Sequence, residues 1–201
     1  MVSSQQYALS IVRTLRERGH QAYLCGGCVR DLLLGREPTD YDVTTDATPD
    51  QVMRIFPETY AVGAQFGVVL VPILQAANLS NETTATADGT AAHHTYPGEA
   101  KANVIEVATF RSDVSYSDGR HPDEVRFSKD PREDVERRDF TINGLLMDPV
   151  SGEVLDFVGG RKDLEARIVR AIGHPERRFA EDKLRMLRAL RFAARFGYAV
   201  D

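Results

Sequence analysis

Two adjacent glycines, Gly26 and Gly27, separate a short apolar run from a short helical pattern, and this break constrains the local fold more than any other feature. The run Ala22–Cys25 has the composition of a strand, and residues 29–34 have helical spacing. We therefore predict a strand, a glycine turn and a helix, in that order. Such a turn leaves backbone amides free to approach a phosphate, and Arg30 follows one helical turn later. A tight bend that binds nothing is the alternative.

A pair of aspartates follows this unit. Asp40 and Asp42 lie within residues 39–44, which we predict to form a strand because they include β-branched and aromatic side chains. Side chains two positions apart on a strand point to the same face, so the two carboxylates would lie close together. Such a pair favours a divalent cation, and hard oxygen ligands suit Mg²⁺ shared with the phosphates of a substrate. Two solvated aspartates in a turn after Pro38 are the alternative.

Two later apolar runs, residues 66–73 and 104–111, are the next predicted strands. Glu106 interrupts the second run, and it becomes a third carboxylate beside the aspartate pair if the two strands are neighbours. A glutamate on an edge strand is the alternative. Residues 75–102 are rich in Ala, Thr, Asn and Gly with almost no large apolar side chains, so we predict a disordered insertion there. The polar residues 112–122 suit a functional loop.

The C-terminal third is predicted to be mainly helical. Residues 137–147 have a helical pattern, a short strand is predicted near residues 153–158, and residues 175–196 have the pattern of one long amphipathic helix. We predict a first domain over residues 1–160 and the start of a second, helical domain over residues 161–201. Few elements remain to cover the apolar face of the last helix, which suggests a fragment of a longer protein.

Composition and charge exclude several classes of protein. The chain has 201 residues, of which 42% are hydrophobic. It contains no apolar run near the roughly 18 residues that a membrane span requires. We expect no membrane contact, and the N-terminus lacks a secretory signal pattern, which favours a cytoplasmic protein. The formal net charge of -5 gives no overall attraction to a polyanion, so any contact with nucleic acid must be local.

The two cysteines, Cys25 and Cys28, leave a different class of function open. A C-x-x-C pair after a strand and before a helix is typical of dithiol redox proteins. A zinc site has little support because a lone C-x-x-C lacks partner ligands, and His93 and His94 have the wrong spacing. A non-catalytic RNA-binding module is a third alternative.

Five motifs occur in order along nearly the whole chain, apart from residues 75–102. They are CGGCVRDLLLG, TDYDVTTDATPDQV, IEVATFR, ERRDFTINGLLMD and FVGGRKDLEARIVRAIGHPERRFAEDKLRMLRALRFAARFGY. Together they resemble the class II tRNA nucleotidyltransferase and bacterial poly(A) polymerase family. The resemblance implies an α+β fold, namely a polymerase-beta-like nucleotidyltransferase head with a small, mostly antiparallel sheet and helices. An all-helical neck domain is expected to follow the head.

The resemblance also implies the residues of the site. Asp40 and Asp42 match the family's magnesium ligands, and Glu106 matches the acidic strand position beside them. The positions that match nucleotide contacts are Gly27, Arg30, Arg138 of the RRDFTIN motif, and Asp182, Arg185, Arg188 and Arg191 of the neck helix, with Gly26 completing the predicted turn. The implied reaction is an Mg²⁺-dependent attack of an RNA 3′-hydroxyl on the α-phosphate of ATP or CTP, with release of pyrophosphate.

The neck residues also have a physical interpretation of their own. Asp182, Arg185 and Arg188 are three positions apart, which on one helix places an acceptor and donors side by side. Cytosine and adenine both present an amino donor beside a ring-nitrogen acceptor, whereas uracil and guanine present a carbonyl beside an N–H. A fixed Asp182 and Arg185 pair could therefore accept C and A and reject U and G. A structural ion pair on a solvated helix is the alternative.

Three activities within the family stay open: addition of the whole CCA sequence to tRNA, addition of C or A alone, and poly(A) synthesis. Residues 116–123 resemble the flexible loop of CCA-adding and A-adding members, although His121 replaces an expected arginine. That loop argues against a C-only enzyme and mildly against a poly(A) polymerase. The expected partners are ATP, CTP and a tRNA 3′ end. Because the C-terminal region of the family holds most of the tRNA, this chain alone is expected to bind nucleotide but to transfer it poorly.

Overall fold

A computed structural model of the chain describes residues 3–61, 66–73, 104–115 and 124–201. The described helices are α1 Ser4–Glu17, α2 Gly27–Leu33, α3 Pro49–Ile55, α4 Pro131–Glu136, α5 Gly160–Ala166, α6 Pro175–Glu181 and α7 Leu184–Phe196. The described strands are β1 Ala22–Cys25, β2 Asp42–Thr45, β3 Val68–Pro72, β4 Val104–Thr109, β5 Arg111–Ser115, β6 Glu124–Phe127, β7 Leu145–Met147, β8 Val154–Asp156, β9 Ile168–Val169 and β10 Ala199–Val200. A 3-10 turn, Thr141–Asn143, precedes β7.

Six of the described strands form one sheet in the order β3-β4-β2-β1-β7-β8. Neighbouring strands in it are antiparallel, except that β2 and β4 run parallel. Helix α1 packs on β1 and β2, and α3 packs on β3 and β4. A small, mostly antiparallel sheet with helices confirms the predicted α+β class.

Helix α1 supplies one layer of the core because its apolar residues recur at helical spacing. Ala8, Val12 and Leu15 are completely buried, and each fully buried aliphatic side chain of Val or Leu size contributes about 1.5–3 kcal/mol. Ser3 caps the helix by accepting a hydrogen bond from the backbone amide of Gln6 at 3.2 Å. This packing fixes the inner face of the sheet that carries the site.

The predicted strand, glycine turn and helix are present. Strand β1 ends at Cys25, and Gly26 has a φ of +69°, a left-handed conformation that favours glycine. The amide of Gly26 donates to the carbonyl of Leu145 at 3.0 Å, which ties the turn to β7. Helix α2 then starts at Gly27, two residues earlier than the helical spacing predicts.

The predicted strand over residues 39–44 and the predicted helix over residues 137–147 are wrong in part. Strand β2 starts only at Asp42, and Asp40 lies in an exposed bend before it. Helix α4 ends at Glu136, and the chain continues through the 3-10 turn into β7, whose Leu146 pairs with Cys25 of β1. An apolar run that can pair with a central strand forms a buried strand, and helical periodicity within a short window does not reveal that partner.

The single long helix predicted over residues 175–196 is also wrong. Asp182 has an extended backbone, with φ of -141° and ψ of 105°, and it separates α6 from α7. Its Oδ1 atom accepts a hydrogen bond from the amide of Leu184, the first residue of α7, at 2.9 Å. The predicted helical region over residues 161–201 also contains a short parallel pair of strands, β9 and β10.

The boundary between the predicted domains at residues 160 and 161 stays a prediction. The predicted insertion at residues 75–102 and the loop at residues 116–123 lie outside the described residues. In the described parts of the chain, no helix has the length and apolar character needed to cross a membrane.

Candidate active site

An open cleft of about 480 Å³ brings together most of the predicted site residues. It lies between the glycine turn at the end of β1 and helix α7. The predicted residues that line it are Gly26, Gly27, Arg30, Asp42, Arg138, Asp182, Arg185 and Arg188. Of the other predicted residues, Asp40, Glu106 and Arg191 lie outside this lining within the described part of the chain.

Of the three predicted carboxylates, Asp42 lines the cleft. Asp42 is half-buried at the start of β2, and it is in register with Glu106 on the adjacent parallel strand β4. The condition set for Glu106, that its strand lies beside the aspartate strand, is therefore met. Burial and the charge of Glu106 raise the pKa of Asp42 to about 6, with Asp40 adding to the rise and Arg138 opposing it. The three carboxylates are close enough to repel one another.

These carboxylates fit a divalent cation that is shared with a substrate. Hard carboxylate oxygens are the ligands that Mg²⁺ prefers, and Mg²⁺ commonly takes only one or two carboxylates and completes its shell with water and substrate phosphates. Among the residues that the structure describes, no group of three or more His, Cys, Asp or Glu side chains is arranged to hold a metal ion. Asp42 at the start of β2 and Asp40 in the bend before it have the donor chemistry for such a shared ion.

Arg138 lies directly over the glycine turn. Its Nη1 atom is 3.1 Å from the position that a Cβ atom would occupy at Gly26, so any side chain there would crowd the guanidinium. Its Nη2 atom donates to Asp134 Oδ2 at 2.8 Å, and its buried Nε atom has no hydrogen-bond partner among the described residues. Arg138 is thus held from behind by Asp134 while it lines the cleft.

Asp134 is the residue that fixes both arginines of this segment. It is fully buried, and its Oδ1 atom accepts from Arg137 at 2.6 Å and 3.0 Å. Burial by itself would raise the pKa of this carboxyl, but Arg138 and Arg137 hold it below its usual value. The buried charge therefore persists, and it holds two guanidinium groups at the cleft.

Arg30 is fixed on three sides. Its Nε atom donates to Asp31 at 2.8 Å and its Nη1 atom to Asn143 Oδ1 at 2.5 Å, while its guanidinium carbon lies 4.7 Å from the centre of the Phe196 ring. Its Nη2 atom is 3.6 Å from the position of a Cβ atom at Gly27. Arg30 and the glycine turn can therefore contact the same anion, because guanidinium groups and free backbone amides both bind phosphate.

Helix α7 forms the opposite wall. Arg185 is buried and donates to Glu181 Oε2 at 2.7 Å, so Glu181 is a carboxylate partner that holds it in the wall. Arg188 donates from Nε to Asp139 Oδ2 at 2.8 Å, and Arg191 is exposed, 5.3 Å from the centre of the Phe192 ring. The expectation that Asp182 shares one helical face with Arg185 and Arg188 is wrong, because Asp182 lies before the helix, yet it still lines the same cleft.

The family follows from a comparison with known proteins. The family model described as the Poly A polymerase head domain matches residues 22–89 and 75–170. The chain belongs to this family. This confirms the predicted family, and the likeness to solved structures given below confirms the predicted head fold.

Similar proteins are CCA-adding enzymes. The CCA-adding enzyme of Geobacillus thermodenitrificans (strain NG80-2) is 42% identical over 195 residues, which cover 97% of this chain and 41% of that protein. The enzyme of Bacillus subtilis (strain 168) is 42% identical over 194 residues, covering 96% of this chain and 42% of the relative. The crystal structure of the Bacillus stearothermophilus CCA-adding enzyme in complex with CTP matches the whole chain, with a TM-score of 0.77 and 38% identity, over 42% of that structure. The chain therefore spans about two-fifths of the length of these relatives.

Sequence reasoning missed several residues of this cleft. Arg111, Arg137, Asp139, Asn143 and Phe192 line it, and Asp134 supports it from behind. Asp134 precedes Arg137 and Arg138 by three and four positions, a spacing at which a helix pairs opposite charges. That spacing was the available signal for Asp134. Asp139 and Asn143 lie inside the ERRDFTIN motif, but their partners are distant in sequence.

The cysteines have the properties of buried structural residues. Burial raises the pKa of Cys25 to about 12 and that of Cys28 to about 11. The Sγ atom of Cys28 donates to the backbone carbonyl of Cys25 at 3.2 Å. Because a thiolate is the reactive form, these neutral, buried thiols argue against the dithiol redox alternative.

Proposed function

We propose that this chain is the nucleotide-binding and catalytic part of a CCA-adding tRNA nucleotidyltransferase. It would add CCA, or its terminal A, to tRNA 3′ ends from CTP and ATP. One observation carries the proposal: Asp42, beside Glu106, faces a cleft whose other walls present arginines around a glycine turn. A cleft of this kind suits a nucleoside triphosphate, and the similar CCA-adding enzymes in the comparison support the choice of reaction.

The phosphates of the nucleotide would lie at the glycine turn. Arg30 and Arg138 both approach the turn, and each is held in place by a carboxylate that lies behind it. Guanidinium groups that are already fixed lose little conformational freedom on binding, so they bind a polyanion more tightly than mobile side chains would. Arginine is also the side chain best suited to charge-assisted hydrogen bonds with phosphate oxygens.

The reaction would be an in-line displacement at the α-phosphate. The 3′-hydroxyl oxygen of the RNA forms a bond to phosphorus, the bond between the α- and β-phosphates breaks, and pyrophosphate leaves. Glu106 is exposed beside Asp42, where it would orient that hydroxyl or accept its proton. Mg²⁺ held by Asp40 and Asp42 would, when bound, neutralise charge on the triphosphate.

The base would be read at the start of α7. One carboxylate oxygen of Asp182 accepts from the amide of Leu184, which leaves the other oxygen to accept a hydrogen bond from the amino group of cytosine or adenine. Arg185 is held by Glu181 and by the carbonyl of Arg178 at 3.1 Å, so its position in the cleft wall is fixed. A fixed acceptor and a fixed donor suit C and A, whereas U and G would meet a mismatched edge at both groups.

The carboxylate roles are tested by nucleotide incorporation into a tRNA that lacks its 3′ terminus. Asp42→Asn and Asp40→Asn should reduce incorporation by at least about 100-fold, which is the usual scale for loss of a group that stabilises transition-state charge. Asp50→Asn is the matched control, because Asp50 is an exposed aspartate on α3 away from the cleft. Incorporation at a near-normal rate by both cleft variants would overturn the metal assignment.

The same assay separates the remaining activities of the family. Three added residues, C, C and A, identify a CCA-adding enzyme, and a single A identifies an A-adding enzyme. An open-ended A tail identifies a poly(A) polymerase, which is the alternative because the matching family is described as the Poly A polymerase head domain. Binding of CTP and ATP to the chain in the presence of Mg²⁺ gives a second readout, which does not depend on tRNA being held. A tRNA substrate also implies a cytoplasmic protein, as the sequence predicts.

A further inference from the structure

The side-chain amide of Asn143 lies between two groups of the cleft and bonds to both. Its Oδ1 atom accepts a hydrogen bond from Arg30 Nη1 at 2.5 Å, and its Nδ2 atom donates to Asp139 Oδ1 at 3.1 Å. The other oxygen of Asp139 accepts a hydrogen bond from Arg188 Nε at 2.8 Å, and it forms an ion pair with Arg188 Nη2 at 2.6 Å. An unbroken series of hydrogen bonds therefore joins Arg30 to Arg188.

An amide satisfies both ends of this arrangement, whereas a carboxylate does not. The guanidinium of Arg30 has donors and no acceptor, and the carboxylate of Asp139 has acceptors and no donor. Asn143 presents its oxygen to the first and its NH₂ group to the second. An aspartate at this position would bond to Arg30 but would place two carboxylates against each other. Asn143 is 8% exposed, so water has little room to replace a lost bond.

The two ends of the series belong to different parts of the cleft. Arg30 is on α2, beside Gly27 at the glycine turn, whereas Arg188 is on α7, one helical turn after Arg185. The rings of Phe192 and Phe196 also lie 5.4 Å and 4.7 Å from the guanidinium carbon of Arg30, so α7 packs directly against that arginine. A shift of Arg30 towards a bound anion would therefore be transmitted to α7 through both contacts.

We propose that Asn143 is a positioning residue that couples the phosphate-binding turn to the base-reading helix. The inference rests on the proposed function, because it assumes that phosphates lie at the turn and that a base lies at α7. Asn143 does not itself touch the reacting atoms. It holds Arg30 for the phosphates, and through Asp139 it holds Arg188 and the start of α7 for the base.

The test compares three ligands by isothermal titration calorimetry with Mg²⁺ present: tripolyphosphate, CTP and UTP. Tripolyphosphate reports on the turn alone, and the ratio of CTP to UTP affinity reports on base reading. In Asn143→Ala we expect tripolyphosphate affinity and the CTP-to-UTP ratio each to fall by about tenfold, a typical size for coupling between residues in one network. A fall in both the tripolyphosphate affinity and the CTP-to-UTP ratio, caused by one substitution, indicates coupling.

Thr141→Val is the matched control for damage to the fold. Thr141 is buried in the same 3-10 turn, but its hydroxyl donates to Asp163 at 2.6 Å, away from Arg30 and Asp139. This variant should lower the melting temperature while leaving tripolyphosphate affinity and the CTP-to-UTP ratio unchanged. If Thr141→Val alters both readouts as Asn143→Ala does, the effect is one of stability and the proposal is overturned.

An exchange variant gives an independent readout. Asn143→Asp alone should lose the CTP-to-UTP preference, because the two carboxylates repel each other. Combining it with Asp139→Asn restores one donor and one acceptor between positions 139 and 143 and should recover part of the preference. Recovery is expected to be incomplete because Asp139 Oδ1 also accepts from the amide of Phe140 at 2.8 Å.

The outcomes separate the inference from the proposed function. If the unaltered chain binds tripolyphosphate and prefers CTP to UTP, while Asn143→Ala keeps both properties, the inference alone fails. If Asn143→Ala changes tripolyphosphate affinity but leaves the CTP-to-UTP ratio intact, Asn143 positions Arg30 only and the coupling is refuted. If the unaltered chain binds neither CTP nor tripolyphosphate, the proposed function fails and the inference fails with it.

Discussion

The substitution Asp134→Asn removes the negative charge that holds two arginines at the cleft. Asp134 is fully buried on α4, and its two oxygens accept from Arg137 at 2.6 Å and from Arg138 at 2.8 Å. Thr44 of β2 lies 3.4 Å from the same carboxylate. Asparagine has nearly the same shape, so the change removes charge and one acceptor without creating a cavity.

The expected loss of stability follows from the number and the exposure of these bonds. Breaking a buried ion pair by removing one partner costs about 3–5 kcal/mol. The two arginine side chains are 19% and 16% exposed, so water compensates part of that cost, and the asparagine oxygen keeps one acceptor. We therefore expect a loss of about 3 kcal/mol, the lower end of that range. For a chain of about 200 residues this corresponds to a fall in melting temperature of about 6–12 °C.

The loss should also depend on pH in a definite direction. Burial would raise the pKa of Asp134, but Arg138 and Arg137 lower it below the ordinary value of about 4 for an aspartate. A carboxyl with a lowered pKa in the folded state contributes its stability above the unfolded pKa and loses it as the pH falls through the folded pKa. The difference in unfolding free energy should therefore stay constant from about pH 7 to pH 5 and shrink below about pH 4.

Thermal unfolding followed by circular dichroism, at a series of pH values, measures both effects. Glu133→Gln is the control, because Glu133 is an exposed carboxylate in the first turn of the same helix. It should change the unfolding free energy by less than about 0.5 kcal/mol, as most surface substitutions do. The reasoning is refuted if Asp134→Asn costs no more than this control, or if its cost is the same at pH 3 as at pH 7.

Two further predictions concern the glycine turn and the cysteines. Gly26→Ala should abolish tripolyphosphate binding because a Cβ atom there would lie 3.1 Å from Arg138 Nη1. Gly35→Ala is the control: Gly35 has a similar φ of +66° and no atom within 4 Å of its Cβ position, so this variant should lose stability but keep binding. Equal loss of binding in both variants would contradict the explanation. Cys25 and Cys28 should react with a thiol reagent at pH 8 only after denaturant is added, because burial raises the pKa values of both thiols. Rapid labelling of the native protein would contradict this and would support the dithiol redox alternative.

Local patterns predicted the parts of the fold that depend on neighbouring residues. The strand, glycine turn and helix at residues 22–33 are set by a short apolar run and by a glycine whose positive φ few other residues adopt. The spacing of apolar residues predicts continuous helices over 137–147 and 175–196. A partner strand interrupts the first helical pattern, and the extended backbone of Asp182 interrupts the second.

The site was predictable in its residue types but not in its connections. The pairing of Asp42 with Glu106 depends on a parallel register between β2 and β4, which are about 60 residues apart in the sequence. It is therefore predictable only on the condition that the two strands are neighbours. The bonds that Asn143 makes to Arg30 and Asp139 likewise join residues from separate elements. Long-range register and side-chain partners follow from packing, and a single sequence does not encode them in any local pattern.

The acidic composition of the chain is compatible with a site for a polyanion because acidic residues hold the cleft arginines. Asp134 holds Arg137 and Arg138, and Asp139 holds Arg188. Each ion pair reduces the net positive charge of the cleft, so long-range attraction of a triphosphate is weak. Each ion pair also fixes the direction of the remaining arginine donors. Binding should then depend more on geometry than on ionic strength, and a variant that frees an arginine should bind less tightly even though its cleft is more positive.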